Sequence, residues 1–403
     1  MVFDKWNECS LGELANLKYG KTIRKKELSD DGYPVFSGYA IVGYLPTFDY
    51  EEPQLIIVCR GVGGTGDIKL SPAKSSITNL SIIIDSDPSK IDKSFLYWYL
   101  KHADTHSLRT GSAQPQIVIK DLEKFKIKIP PMSEQKAIAH ILSTLDEKIE
   151  TNNQINEKLE EMAQALFKHW FVDFEFPNEN GKPYKSSGGE MVESELGMIP
   201  KGWEVGKLGE LVEISNKSIK PQEYPEKFFE HYSIPAFDNG KTPEFQKGKE
   251  IKSNKYVINN HVVLVSKLNP STKRIWKPIT QTKNAICSTE FIVYMAKKGN
   301  ILSYVFEYLN NEKFQGVLTA NATGSTGSRQ RVKPKETLNY KVVLPPLKLM
   351  QQFSRMIEPM HLEIGSNMIE NQKIKGLRDI LLPKLMSGEI RVPLDDEVLS
   401  EKN

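Results

Sequence analysis

Lys126-Ile127-Lys128-Ile129-Pro130-Pro131 opens the stretch that decides the fold, because Lys341-Val342-Val343-Leu344-Pro345-Pro346 opens a second stretch of the same design about 215 residues later. Each runs on into a long helical pattern, over 126–170 and 341–385. Apolar positions of the first fall on apolar positions of the second: Ile138 on Phe353, Leu142 on Ile357, Leu145 on Met360, Ile149 on Ile364. Leu159 maps to Ile374, Met162 to Leu377 and Leu166 to Leu381, and Asn152 and Asn156 coincide with Asn367 and Asn371. The period is too long for a solenoid. It marks a duplicated module, and a duplicated module suggests pseudo-symmetry.

Both patterns place apolar residues three and four apart for several heptads, as a coiled-coil seam does. Roughly 38 helical residues at ~1.5 Å each span ~57 Å. Left bare, such a stripe would expose more apolar surface than monomers tolerate, so the helices are expected to pair with each other. Antiparallel pairing sets Leu145 near Ile374, Leu142 near Leu377, Leu159 near Met360 and Leu166 near Phe353, with Asn152 opposite Asn367. Parallel pairing matches the residues almost as well. A two-fold relation, which closes the structure on itself, favours antiparallel. The bland alternative packs each helix on its own domain.

Working outward, residues 1–131 are strand-rich, with runs such as Leu55-Ile56-Ile57-Val58 and Leu80-Ser81-Ile82-Ile83-Ile84 broken by Gly, Pro and Asp. A helix at Ser94–Lys101 is the exception. The first long helix covers 132–172, a polar linker 173–199, a second strand-rich domain 200–346, the second helix 347–388 and a frayed tail 389–403. The two domains share anchors: Trp6 with Leu11-Gly12-Glu13-Leu14 against Trp203 with Leu208-Gly209-Glu210-Leu211, and Phe95-Leu96-Tyr97-Trp98-Tyr99-Leu100 against Tyr304-Val305-Phe306-Glu307-Tyr308-Leu309. Between these anchors they diverge, as two domains binding different ligands would.

The chain has 403 residues, 39% hydrophobic and 26% charged, which suits a globular protein of more than one domain. Neither a membrane span nor a signal peptide is evident. Cys9, Cys59 and Cys287 are scattered and fit a reducing cytoplasm. The net charge of +3 is uneven: 1–131 carries 17 basic and 16 acidic residues, 200–346 carries 23 and 13. A basic domain beside acidic helices points to a polyanion on one part of the chain and protein contacts on another.

Catalytic motifs dissolve on inspection. Gly61-Val62-Gly63-Gly64-Thr65-Gly66 matches G-x-G-x-x-G, but Asp67-Ile68-Lys69-Leu70 follows as strand where a dinucleotide fingerprint needs a helix. Asn269-Pro270-Ser271 lacks the aromatic residue of an amino-methyltransferase motif. Asp173-Phe174-Glu175-Phe176 has no lysine at nuclease spacing. The seven histidines do not cluster; His140, His169 and His361 fall on helices as surface or seam residues. Basic and amide side chains on variable loops remain: Lys21, Arg24, Lys25, Lys26, Arg60, Lys69, Arg109, Gln114 and Gln116 in the first domain, and Lys217, Lys220, Lys267, Lys273, Arg274, Lys277, Arg329, Gln330, Arg331 and Lys333 in the second. Arginine reads guanine and glutamine adenine in the major groove, while lysine mainly meets phosphate. Singly, each is better explained by solvated surface charge. Gly327-Ser328-Arg329-Gln330-Arg331 is the strongest cluster, because its turn matches Gly111-Ser112.

Gln164-Ala165-Leu166-Phe167-Lys168-His169-Trp170-Phe171-Val172-Asp173-Phe174, followed by Leu196-Gly197-Met198-Ile199-Pro200-Lys201-Gly202-Trp203-Glu204-Val205, resembles the specificity subunit of type I restriction–modification enzymes. So do Ile129-Pro130-Pro131 with Glu134-Gln135, and Leu344-Pro345-Pro346 with Gln351-Gln352. The second half departs at Met350 and lacks a second Trp-Phe-Val-Asp-Phe. The resemblance implies an α+β chain: two strand-rich target-recognition domains related by pseudo-two-fold symmetry and separated by an antiparallel coiled coil. It implies a non-catalytic reader of double-stranded DNA, each domain taking half of a bipartite asymmetric target, the helices setting the spacer. Two methyltransferase subunits would dock on it, and two restriction–translocase subunits would complete the complex. S-adenosylmethionine, ATP and magnesium would belong to those partners. A stand-alone methyltransferase lacks room and motif here; a β scaffold with incidental basic loops would lack steep salt dependence.

Overall fold

A computed structural model describes residues 6–61, 64–111, 114–324 and 330–392. The chain forms two compact units, residues 1–150 with 373–403 and residues 151–372, and the division falls inside both long helices.

In the first unit the strands Ala15–Tyr19, Ser81–Ser86, Leu55–Val58 and Ile68–Leu70 form an antiparallel sheet in that order. Leu55–Val58 is buried throughout, and successive residues serve opposite faces: Ile56 and Ile83 pack with Ile77, whereas Leu55, Ile57, Ile82 and Ile84 pack with the helix Lys93–His102. A second sheet pairs Tyr33–Phe36 with Ile41–Leu45 and, in parallel, with Ser76–Ile77. The second unit repeats the plan. Val212–Ile214, Phe291–Ala296, Val263–Ser266 and Ile275–Trp276 form its four-stranded sheet. Phe228–Tyr232 pairs with Glu244–Lys247 and, in parallel, with Ala285–Ser288 in a sheet enlarged to five strands.

The duplicated motif closes each domain. Lys126–Ile129 pairs with Asn7–Ser10, and Lys341–Leu344 with Glu204–Lys207, so the last strand of each domain lies on its first. The two prolines that follow end the ladder, and a helix begins at once: Met132–Phe167 after the first, Leu347–Ser387 after the second.

The long helices run antiparallel. In the second unit the Asn152 amide donates to Asn371 Oδ1 at 2.9 Å and that of Asn367 to Asn156 Oδ1 at 2.9 Å; in the first, Arg378 Nη1 donates to Asp146 Oδ1 at 2.5 Å. This register differs by one turn from the one expected from the repeat. Asn152 meets Asn371 rather than Asn367, and Leu377, expected against Leu142, is 47% exposed. A four-residue slip brings a helix almost back to the same face, so an apolar pattern fits both registers; the asparagine pairing separates them.

The helix ends are closed differently. Phe167, Trp170 and Phe171 gather around Phe353 at centroid distances of 5.9, 5.7 and 5.0 Å. The first unit uses Leu381, Leu382, Leu385, Met386 and Val392 instead. Residues 173–199, polar in composition, are not a bare linker: Phe176 stacks between Tyr184 and Trp203, and Met191–Ser194 pairs with Gly197–Pro200. Fraying was expected from 389, yet Arg391 holds Glu134 in a two-point ion pair at 2.5 and 2.7 Å; residues 393–403 lie outside the described residues.

Candidate nucleic-acid interface

In the first unit the loops leaving the four-stranded sheet converge. Arg60 and Thr110 both form backbone bridges to Gln116, and the Ile117 amide donates to Cys59 O at 2.9 Å. Thr65 Oγ1 donates to Gly61 O and Pro115 O, tying the glycine loop to the same place. That loop leads into strand Ile68–Leu70 and not into a helix. Lys21 joins from the side: its amide donates to Ile77 O, and its carbonyl accepts from Asn79.

Arg60, Gln116, Gln114, Arg109 and Lys21 are therefore gathered, and all are exposed. Their side chains are not equally available. The Lys21 ammonium is paired with Asp49, which holds its pKa above the usual lysine value. Arg109 Nε donates to Thr65 O at 2.5 Å, and its Nη2 lies against His106. Lys69 stands 4.0 Å from Asp67 and 5.8 Å from the centre of the Tyr39 ring. Arg24 and Lys25 are exposed around the short turn Lys25–Glu27.

The second unit builds the same junction from other residues. Leu268 and Thr323 form backbone bridges to Arg331, and the Asn269 amide donates to Gln330 O at 2.9 Å. Leu268 thus holds the place of Arg60, and Arg331 that of Gln116. Lys267 sits between, its amide donating to Glu290 O and its carbonyl accepting from Val332. Arg331 is exposed, 3.2 Å from Glu290; Arg329 lies outside the described residues. Lys273 is paired with Glu312 at 3.1 Å, Lys220 with Glu223 at 3.4 Å and Lys333 with Glu336 at 2.9 Å, and Lys217 is exposed.

Two basic residues of the second domain do other work. Arg274 makes a bidentate pair with Asp238, at 2.6 and 2.9 Å, and its guanidinium holds that carboxyl below the usual range. Lys277 is partly buried, and desolvation lowers its pKa; it contacts Glu358 and His361 Nδ1, both at 3.0 Å. Sequence reasoning passed over Tyr19 and Tyr39, which frame Arg60: the guanidinium lies 5.5 Å from the Tyr19 centroid, and Tyr39 Oη donates to Arg60 O at 2.8 Å. Tyr19 at the end of strand Ala15–Tyr19 and Tyr39 in the turn before strand Ile41–Leu45 were the available signal.

Among the described residues no group of three or more His, Cys, Asp or Glu is placed to hold a metal ion, and no helix is long and apolar enough to cross a membrane. Burial pushes the Cys59 thiol up to about 11, so this cysteine is a poor nucleophile.

A family model described as the type I restriction modification DNA specificity domain matches residues 4–161 and again 200–375. The MjaIX type I specificity subunit of Methanocaldococcus jannaschii is 29% identical over 299 residues, 70% of this chain and 64% of that protein. This chain thus matches just under two thirds of that relative's length. The EcoDI specificity subunit of Escherichia coli is 24% identical over 413 residues, covering 96% and 88%. The crystal structure of a type I S subunit from M. genitalium shares the fold, with a TM-score of 0.66 at 18% identity over 95% of this chain and 96% of that one.

Proposed function

The chain belongs to the type I restriction–modification DNA specificity family, and on that premise we propose that it is the sequence-reading subunit of such a complex, each domain reading one half of a bipartite, asymmetric target in double-stranded DNA. The observation that carries this reading is the pair of matched loop junctions. One backbone scaffold presents Arg60 and Gln116 in one domain and Leu268 and Arg331 in the other. A shared frame with unlike donors suits two different half-targets, since base edges are distinguished by donor and acceptor pattern. The surrounding lysines supply the phosphate contacts that fix register and make binding salt-dependent.

The chain supplies no chemistry of its own in this reading. Two methyltransferase subunits, carrying S-adenosylmethionine, dock on it, and two ATP- and magnesium-dependent restriction–translocase subunits complete the assembly. Met162, Leu362 and Ile380 stand 51, 57 and 62% exposed on the long helices, apolar side chains that a partner helix would cover. The length of the helices sets the unread spacer.

The test is to map methylated adenines in cells carrying the partner methyltransferase with and without this chain. A two-part motif present only with the chain is expected; an unchanged methylation map would sink the proposal. Removing one heptad from each helix should also change the preferred spacer.

A further inference from the structure

Arg60 is set apart from the other basic residues at its junction by what holds it. Lys21 is paired with Asp49, Lys69 lies near Asp67 and Arg109 is held by Thr65 O and His106, while in the second domain Lys273, Arg274 and Arg331 each face a carboxylate. Among the described residues Arg60 has no such partner. Its guanidinium rests on the ring of Tyr19 instead, 5.5 Å from the centroid. A ring face steadies a guanidinium without occupying its five N–H donors, so nothing charged must be displaced before those donors meet a ligand.

The backbone at Arg60 is fixed as well. Tyr39 Oη donates to its carbonyl at 2.8 Å, and Gln116 bridges it from the other side. The following loop is moulded on Tyr39. A Cβ at Gly61, which sits at φ +120°, would lie 2.5 Å from Tyr39 Oη, and one at Gly64 would lie 2.5 Å from Tyr39 Cε1. These glycines thus admit the tyrosine ring rather than a phosphate. Tyr19 and Tyr39 remain 39% and 37% exposed, so the arrangement faces solvent.

The geometry points to Arg60 as the residue that reads guanine in the half-target of the first domain, with Tyr19 and Tyr39 as its positioning residues. A rigid, uncommitted fork matches the O6 and N7 acceptors that a G·C pair shows in the major groove. Preorganisation by the two tyrosines removes the ordering cost that a free arginine would meet on binding. This assignment rests on the DNA-reading function proposed above.

The experiment uses this chain assembled with its methyltransferase partners, acting on a DNA library randomised across both half-targets and read by sequencing the methylated adenines. Arg60→Lys keeps the charge and loses the fork. It should weaken the preference for guanine at one position of one half-target by roughly ten-fold, leaving the other half-target unchanged as an internal sign of a folded complex. Tyr19→Phe should keep that preference, while Tyr19→Ala and Tyr39→Phe should weaken it at the same position. A loss spread evenly over all sequences would make Arg60 a phosphate contact and overturn the assignment, as would a change in both half-targets. A wild-type complex that methylates without sequence preference would instead overturn the DNA-reading function itself.

Discussion

Trp98 and Glu307 occupy the same place on the aromatic helix of each domain, and each faces the long helices in its own unit. In the first unit the indole is buried and its Nε1 donates to Ser143 Oγ at 3.2 Å. In the second, Glu307 is 1% exposed and lies 2.6 Å from His361 Nε2, while Gln164 donates to its other oxygen. Lys277, Ser303 and Glu358 complete a polar cluster around it. The first seam is held by apolar area, by neutral hydrogen bonds from Trp98 to Ser143 and from the Asp92 amide to Gln135, and by a half-exposed contact of Lys101 with Asp146 at 4.0 Å; the second is held by a largely buried polar network. The duplication kept the helix and its seat but not the physics of the contact. An apolar seat tolerates change in proportion to lost area, whereas a network fails when one member is left unpaired.

The comparison breaks most visibly at Glu307. Glu307→Leu should cost about 3–5 kcal/mol, because His361 Nε2 and the Gln164 amide lose their acceptor in a buried site. Hydrogen exchange at the Tyr304 amide, which donates to Ser354 Oγ at 3.1 Å, reports it, and amides of the first unit should not respond. Replacing His361 and Gln164 by apolar residues in the same chain should restore most of the loss, since an intact apolar seat can match a buried polar cluster. If the triple variant is worse than the single one, the seats are not interchangeable in kind.

A smaller effect is expected at the loops. Arg331→Ala should remove about 1–3 kcal/mol of base discrimination in one half-target and leave the other intact, as seen in the methylation profile of the assembled complex. Equal loss in both halves would mean that the two junctions do not act separately.

The repeat, its Pro-Pro punctuation and the alternation of strand-rich domain and long helix were legible in the sequence because each is a local signal. Lys126–Ile129 and Lys341–Leu344 stand out as matched openings of the repeat, which fold as strands, and the prolines mark where the helices begin. The helix register was not legible, since Asn152 can face Asn367 or Asn371 without disturbing the apolar stripe. Nor was the state of individual donors. Asp238, which occupies Arg274, lies 36 positions away in sequence, and the acid and histidine that Lys277 contacts lie 81 and 84 positions away on the helix Leu347–Ser387. Tyr19 and Arg60 meet only through sheet pairing. A list of basic loop residues therefore found the junctions but could not tell an open arginine from an occupied one.

The gentlest test of the two seats is acid. Burial alone would raise the pKa of Glu358, but the Ser303 hydroxyl and the Lys277 ammonium outweigh it and leave the carboxyl below its ordinary 4.5. A folded value below the unfolded one means that the carboxylate contributes stability in full above the ordinary value, and loses it as pH falls through the lower folded value. The contact between Trp98 and Ser143 carries no charge to lose. Lowering pH through that window should therefore speed exchange of amides around Ser303 and Tyr304 before those around Phe95 and Trp98. Glu358→Gln should flatten the response in the second unit and leave the first as it was. If the Trp98 side loosens first, or Glu358→Gln changes nothing, the acid weakness lies elsewhere and the contrast between the seats is one of composition without consequence for stability.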